Sequence, residues 1–215
     1  LRSEGAGLSD QDRDDLLETA DDALGKLANL VTDLLDVSRL QSGVLGVSVM
    51  PVDPAEVIMP ALDELSLGPA DVEIDLGADV PEMVADPALL QRVVVNLLSN
   101  ALRYEPAGGR VRLATSSFAD RVEIRVIDHG PGIPEDRRDD VMVPFQRLGD
   151  ADSTVGLGLG LALSKGFVEG MDGTLALEDT PGGGLTMVIS LPRVGHAAAG
   201  HDDVDHDDIE EGSAR

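Results

Sequence analysis

Between Ser9 and Gly43, apolar residues recur at Leu16, Ala20, Ala23, Leu27, Leu30, Leu34 and Val37, in steps of three and four. That spacing draws one stripe along a helix. Leu17, Leu24, Val31 and Leu35 widen it. Ser9 with Asp12 matches a capping box, with Asp in place of the usual Glu. Asp14 and Asp15 add negative charge to the first turn, where the helix dipole favours it. The helix is predicted to end near Ser42-Gly43. A helix so apolar on one face has to bury that face against another helix. The partner is either the chain's own domain or a hairpin or dimer bundle. In the second case the preceding helix lies upstream, and Leu1-Arg2-Ser3-Glu4 is its tail.

Past Gly43 the pattern changes from one long helix to an alternation of strands and helices. Residues 44–52 read as an extended segment leading to Pro54, and a short helix is predicted over about 54–65. Strands are predicted at 71–76 and 83–85. Asp86-Pro87 then caps a helix running to about Tyr104, with Pro at its first position. Two strands, 110–117 and 121–128, follow around a turn at Ala119-Asp120. A Gly/Pro loop, a short helix near 135–142 and a second Gly-rich stretch come next. Residues 158–169 read as a helix, and 174–178 and 185–191 as closing strands joined by Pro181-Gly182-Gly183-Gly184.

This order divides the chain into a helical segment (1–43), an α/β domain (44–192) and a small, polar, acidic tail (193–215) expected to be disordered. His201, Asp202, Asp203, His206 and Asp207 in the tail are metal-ligand types, but a solvated tail is the favoured reading.

Hydrophobic residues make up 42% of the chain and aromatics 2%, so the core has to be built from Leu, Val, Ile and Ala. The absence of Cys removes disulfides and thiolate metal sites, which fits a cytosolic setting. No apolar run approaches the ~18 residues of a spanning helix. The formal net charge of −25 argues against nucleic acid and anionic membranes as partners. It also repels a polyphosphate, unless cations are concentrated locally or Mg²⁺ arrives with the ligand.

Four motifs supply groups suited to one nucleotide. Asn96, Asn100, Arg103 and Tyr104 fall on one face of the 87–104 helix, while Val93, Val94, Leu97, Leu98 and Ala101 cover the rest. An amide oxygen is a hard ligand fit for Mg²⁺, and Arg103 can meet a phosphate. The plainer reading is a polar solvent face. Asp128-His-Gly130-Pro-Gly132-Ile133 ends an alternating strand, and a carboxylate there can accept from the exocyclic amine of adenine. The plainer reading is a Gly/Pro turn.

Gly156-Leu157-Gly158-Leu159-Gly160 opens a helix, and free N–H groups at a helix start cradle an anion. It has neither the dinucleotide-binding spacing nor the Gly-Lys-Ser/Thr ending of a Walker loop. Gly182-Gly183-Gly184-Leu185-Thr186 makes a turn and offers the Thr186 hydroxyl.

Taken together, the order and spacing of these motifs resemble the N, G1, G2 and G3 boxes of the GHKL ATP-binding family (gyrase, Hsp90, histidine kinase, MutL). Residues 141–147, Val-Met-Val-Pro-Phe-Gln-Arg, resemble its F box, and 34–43 resemble the end of the dimerisation helix of sensor histidine kinases. Stretches 144–150 and 178–186 look like the KdpD type, the potassium-responsive sensor kinases.

The resemblance, over about residues 1–192, implies the Bergerat fold. This is a two-layer α/β sandwich with a mixed sheet under three helices, here preceded by a dimerisation helix. It implies ATP and Mg²⁺ as ligands, with Asn96 on the metal, Asn100 and Arg103 toward the phosphates and Tyr104 toward the nucleotide. Asp128, helped by Thr186, would hold the adenine amine, while Gly130, Gly132 and Ile133 line the base pocket. Phe145 belongs to the F box. Arg147 would reach the γ-phosphate from a mobile lid, and Gly156, Leu157, Gly158, Leu159 and Gly160 would support the triphosphate.

The partners implied are a phosphoacceptor-His helix, a response regulator and a second copy of the intact protein. The intact parent is expected at the plasma membrane with this domain in the cytoplasm.

The chain departs from the family pattern in several places. ATPases of the family place a Glu four residues before the Mg²⁺ Asn to activate water, and here that residue is Arg92, which favours phosphoryl transfer over hydrolysis. Arg103 replaces the family's Lys, and His129 replaces the usual Asn. The four histidines are His129, His196, His201 and His206, and none precedes the long helix, where the acceptor His belongs. The chain is therefore expected to be a fragment, or to act on a His supplied by another chain. The alternative is a nucleotide-binding interaction module without phosphotransfer.

Overall fold

The computed structural model describes residues 9–146 and 158–195. Leu1–Glu4, Arg147, Gly156, Leu157 and the acidic tail with its His and Asp residues lie outside this range.

Helix α1 spans Asp10–Gln41. Its start is the capping box that Ser9 and Asp12 predict: the Asp12 N–H donates to Ser9 Oγ (3.1 Å), and the Ser9 N–H donates to Asp12 Oδ2 (3.0 Å). Strand β1 (Met50–Val52) and helix α2 (Pro54–Glu64) follow, then β2 (Val72–Leu76), β3 (Met83–Ala85) and helix α3 (Pro87–Tyr104). Strands β4 (Val111–Phe118) and β5 (Arg121–Ile127) form a hairpin. A 3₁₀ turn (Glu135–Arg137) leads into the four-residue helix α4 (Arg138–Val141). Helix α5 (Gly160–Gly170) and strands β6 (Thr174–Asp179) and β7 (Leu185–Pro192) complete the described fold.

The main sheet has five strands in the order β2-β4-β5-β7-β6. β2 runs parallel to β4, and the other neighbours are antiparallel, so the sheet is mixed. β1 and β3 pair in a separate ribbon. Of the extended segment 44–52, only Met50–Val52 finds a strand partner, because β3 offers just three residues.

Strand alternation decides which side is core. Leu113, Val126 and Met187 stand opposite one another on β4, β5 and β7, and all three are buried with Ile124, Ile189 and Leu191. Val57, Ile58 and Leu62 of α2, Leu90, Val93, Val94, Leu97 and Leu98 of α3, and Leu163, Phe167 and Val168 of α5 fill that same core. The domain is thus a two-layer α/β sandwich with an aliphatic interior. The Asp86 cap positions α3, since its Oδ1 accepts from the N–H groups of Ala88 (3.1 Å) and Leu89 (3.2 Å), with Pro87 at the first helical position.

The described residues leave most of the long helix uncovered. The described part of its own domain covers only the end of α1, where Asp36 and Val37 are buried and Leu40 packs against the core. Leu16, Leu17, Leu24, Leu27, Val31, Leu34 and Leu35 stay exposed. Packing on the described part of the chain's own domain therefore leaves this stripe uncovered.

One cation secures the covered end. Arg92 of α3 bridges to Asp36 (2.6 Å) and Asp33 (3.4 Å) of α1, and its guanidinium lies 5.1 Å from the ring centre of Phe167 on α5. Three helices meet at this side chain. The residue at the position of an ATPase general base serves here as a structural tie.

Candidate nucleotide site

The site is assembled where the end of α3, the head of α5 and the β6–β7 turn meet the loop after β5. Asn96 donates from Nδ2 to Ser164 Oγ on α5 (2.8 Å). This bond leaves Oδ1, the oxygen suited to a hard cation, facing Gly160, the first residue of α5. A Cβ on Gly160 would overlap that oxygen, so glycine is what lets the amide approach. The donor set fits a divalent ion held by an amide oxygen.

No side chain caps the start of α5 among the described residues. Its first N–H groups are thus presented beside the Asn96 oxygen, an arrangement that suits phosphate. Gly158 and Leu159 precede α5, and the Phe145 N–H donates to the Gly158 carbonyl (3.1 Å), so the F box meets the glycine-rich stretch directly. Asn100 is half-buried on α3, and Arg103 and Tyr104 are exposed at its end.

Asp128 is only 2% exposed. Its Oδ1 accepts from the N–H groups of Gly130 (2.9 Å) and Leu185 (3.1 Å). Burial raises its pKa from the ordinary Asp value, while those two N–H groups pull it back. The loop around it is tightly built. A Cβ on Gly130 would lie 2.6 Å from the Tyr104 carbonyl oxygen, and one on Gly132 would lie 2.9 Å from that of Gly184. Ile133 is partly buried against the core. The structure thus brings Asp128, Gly130, Gly132 and Ile133 together as one wall, and Asn96, Gly158, Leu159 and Gly160 as another.

Thr186 is not brought to Asp128. On β7 it stands opposite Ile127, one residue out of phase with Met187 and therefore on the outer face of the sheet. Its hydroxyl pairs with that of Thr180 (2.9 Å). Both line a cleft of about 570 Å³ on that outer face, with Arg112 and Arg125 beside them. Those arginines are engaged by Asp75, Glu123 and Glu178. The G3 residue at Asp128 is Leu185, acting through its backbone.

Sequence reading also passed over Glu105, whose carboxylate accepts the His129 N–H (2.9 Å) and holds the start of the G1 loop, and Arg138. Leu185 alone had a signal: counting back by twos from Leu191, Ile189 and Met187 arrives at it.

With this geometry in place, the comparisons with known proteins agree. A family model described as histidine kinase-, DNA gyrase B-, and HSP90-like ATPase matches residues 85–195, half of the chain. The chain belongs to this family of ATP-binding domains. The KdpD-type resemblance carried by 144–150 and 178–186 is matched by named relatives. Sensor protein KdpD of Rathayibacter rathayi is 66% identical over 166 residues, 77% of this chain and 19% of that protein. Sensor protein KdpD of Mycobacterium tuberculosis is 42% identical over 199 residues, 89% of this chain and 23% of that protein. The chain thus spans about a fifth of the length of these curated relatives. Among solved structures, full-length ShkA in complex with AMPPNP superposes with a TM-score of 0.71 at 25% identity, over 87% of this chain and 40% of that one.

Proposed function

We propose that this chain is the ATP-binding catalytic domain of a sensor histidine kinase, which holds Mg-ATP and presents its γ-phosphate to a histidine outside the chain. The observation that carries the proposal is Asp128, a buried carboxylate with Oδ1 committed to two backbone N–H groups and Oδ2 left for the base. An acceptor-only group in that setting selects a donor, and the adenine amine is one.

The base rests against Gly130, Gly132 and Ile133. Asn96 would hold Mg²⁺, which supplies charge neutralisation between the phosphates when bound. Asn100, Arg103 and the α5 head face the phosphates, with Tyr104 along the nucleotide. Arg147, Phe145 and Gly156-Leu157 complete the proposed site. In the transfer, a histidine nitrogen forms the bond to γ-phosphorus as the bond to the β,γ-bridging oxygen breaks, and ADP leaves. The phosphoryl group then passes to a response-regulator Asp. With Arg92 bound to α1, no carboxylate stands at that position to activate water, which favours transfer over hydrolysis.

The exposed stripe of α1 is proposed to pack in the helical bundle of a homodimer, with residues 44–192 as the catalytic domain and 193–215 as an appended tail. Among the described residues no helix is long and apolar enough to cross a membrane. We place this segment in the cytoplasm, attached to a plasma-membrane sensor.

Mixing the chain with Mg-ATP and a separate helical hairpin carrying the acceptor His tests the reading. Acid-labile phosphate on the hairpin is expected. Tight ATP binding without transfer would make the chain a nucleotide-responsive module instead.

The Asp128 setting adds a pH dependence. The base-binding form is the carboxylate, and burial raises its pKa, so protonation begins above the free-Asp value of about 3.9. ATP affinity should therefore begin to fall at a higher pH than an ordinary Asp would dictate, beyond the loss caused by protonation of the nucleotide itself. Comparing the affinity profile of the native chain with that of Asp128→Asn checks this. The extra loss should be absent in the variant.

A further inference from the structure

We propose that Arg138 is a positioning residue that sets the width of the base pocket, an inference that rests on the ATP-binding reading above. A guanidinium would ordinarily lie in solvent, yet the Arg138 side chain is only 19% exposed, on a helix of four residues. Its Nε donates to the Ile133 carbonyl (3.2 Å), one terminal nitrogen donates to the Leu177 carbonyl (3.2 Å), and the other pairs with Asp179. Ile133 ends the G1 loop, while Leu177 and Asp179 belong to β6. One rigid fork therefore spans the loop and the β6–β7 hairpin.

The same two segments meet at two other points. Asp128 accepts the Leu185 N–H, and Gly132 packs on the Gly184 carbonyl. Those links tie Asp128 and Gly132 to the hairpin turn. Arg138 ties Ile133 to β6, and so sets the distance at which the Ile133 wall stands from that strand.

The two carbonyl bonds carry this role, and the ion pair does not. Asp179 is 81% exposed, and an ion pair so open to water contributes little. The two carbonyl bonds are part-buried, whereas the ion pair is exposed. A lysine would keep the charge but lose the planar fork, so it could not hold both carbonyls in that geometry. The consequence is specific to the base. Among the described residues, the phosphate end, at Asn96 and the head of α5, shares no hydrogen bond or ion pair with this fork.

The test compares Arg138→Lys, Arg138→Met and Asp179→Asn with the native chain, measuring affinity for Mg-ATP and for Mg-tripolyphosphate by calorimetry, with thermal melts alongside. Both Arg138 variants should bind ATP about tenfold more weakly and tripolyphosphate as the native chain does. Asp179→Asn should match the native chain for both ligands. ATP affinity restored in Arg138→Lys, or ATP and tripolyphosphate weakened together, would overturn the inference. If Arg138→Met unfolds, Arg138→Lys decides alone. A native chain that binds ATP no tighter than tripolyphosphate would instead sink the nucleotide-site reading itself, and this inference with it.

Discussion

Asp128→Asn is expected to weaken ATP binding roughly tenfold to a hundredfold while leaving the fold intact. The Asn oxygen can occupy the Oδ1 position and keep both acceptor bonds, from Gly130 and Leu185. What changes is the other atom. An amide NH₂ replaces the carboxylate oxygen and meets the base amine donor to donor. A buried group left without its partner costs about 1–3 kcal/mol, and each 1.4 kcal/mol is about tenfold in affinity. The variant also removes the desolvation that raises the native carboxyl, so its folding should not suffer. Calorimetric titration with Mg-ATP checks the affinity and thermal unfolding checks the fold. Loss of both together would mean that Asp128 is structural rather than ligand-binding.

Gly184→Ala should damage stability and binding at once. Gly184 has φ +117°, a conformation in which an L side chain is strained by about 1–3 kcal/mol. Its Cβ would also collide with the backbone carbonyl of Asp128 and with the backbone of His129. The hairpin can relieve that clash only by moving away from the G1 loop. That movement breaks the Leu185-to-Asp128 bond and opens the base wall.

Gly183→Ala is the matched control, because Gly183 has φ +109° but no atom within 4 Å of its Cβ position. The control carries strain without collision. The melting temperature should fall in both, by about 2–4 °C per kcal/mol for a chain of this size. Only Gly184→Ala should also lose ATP affinity. Equal behaviour of the two variants would refute the collision argument.

The local rules carried much of this fold. The Ser9–Asp12 box and the Asp86-Pro87 cap placed the starts of α1 and α3, because capping is decided within four residues of sequence. Sheet order was beyond such reasoning: β2 lies parallel beside β4 across an intervening strand and helix, and no local pattern encodes that pairing. The same limit applies to α1. Its stripe is visible in sequence, but only the fold shows that the described residues cover no more than its last turns.

At the site, Asp128 and Asn96 were legible because their residue types are costly in an apolar setting unless they have partners. The Thr186 hydroxyl suits the base by its chemistry alone, whereas strand parity sends it to Thr180. Arg92 was visible as a departure from the family pattern. Its bonds to Asp33 and Asp36 join residues 56 or more apart in sequence, which a spacing argument cannot reach. Arg138 sits in an unremarkable polar turn, and its role depends on Leu177 and Asp179 arriving from β6.

The central claim is that a buried carboxylate reads the exocyclic amine of the base. Titrating the native chain with Mg-ATP and with Mg-ITP tests it most directly, since the two share sugar and triphosphate, and ITP carries a carbonyl oxygen in place of the amine. Asp128 would then face an acceptor instead of a donor. ATP should bind at least about tenfold more tightly than ITP, and the preference should narrow or invert in Asp128→Asn, whose NH₂ can donate to that oxygen. Equal affinity of the native chain for ATP and ITP would contradict the account.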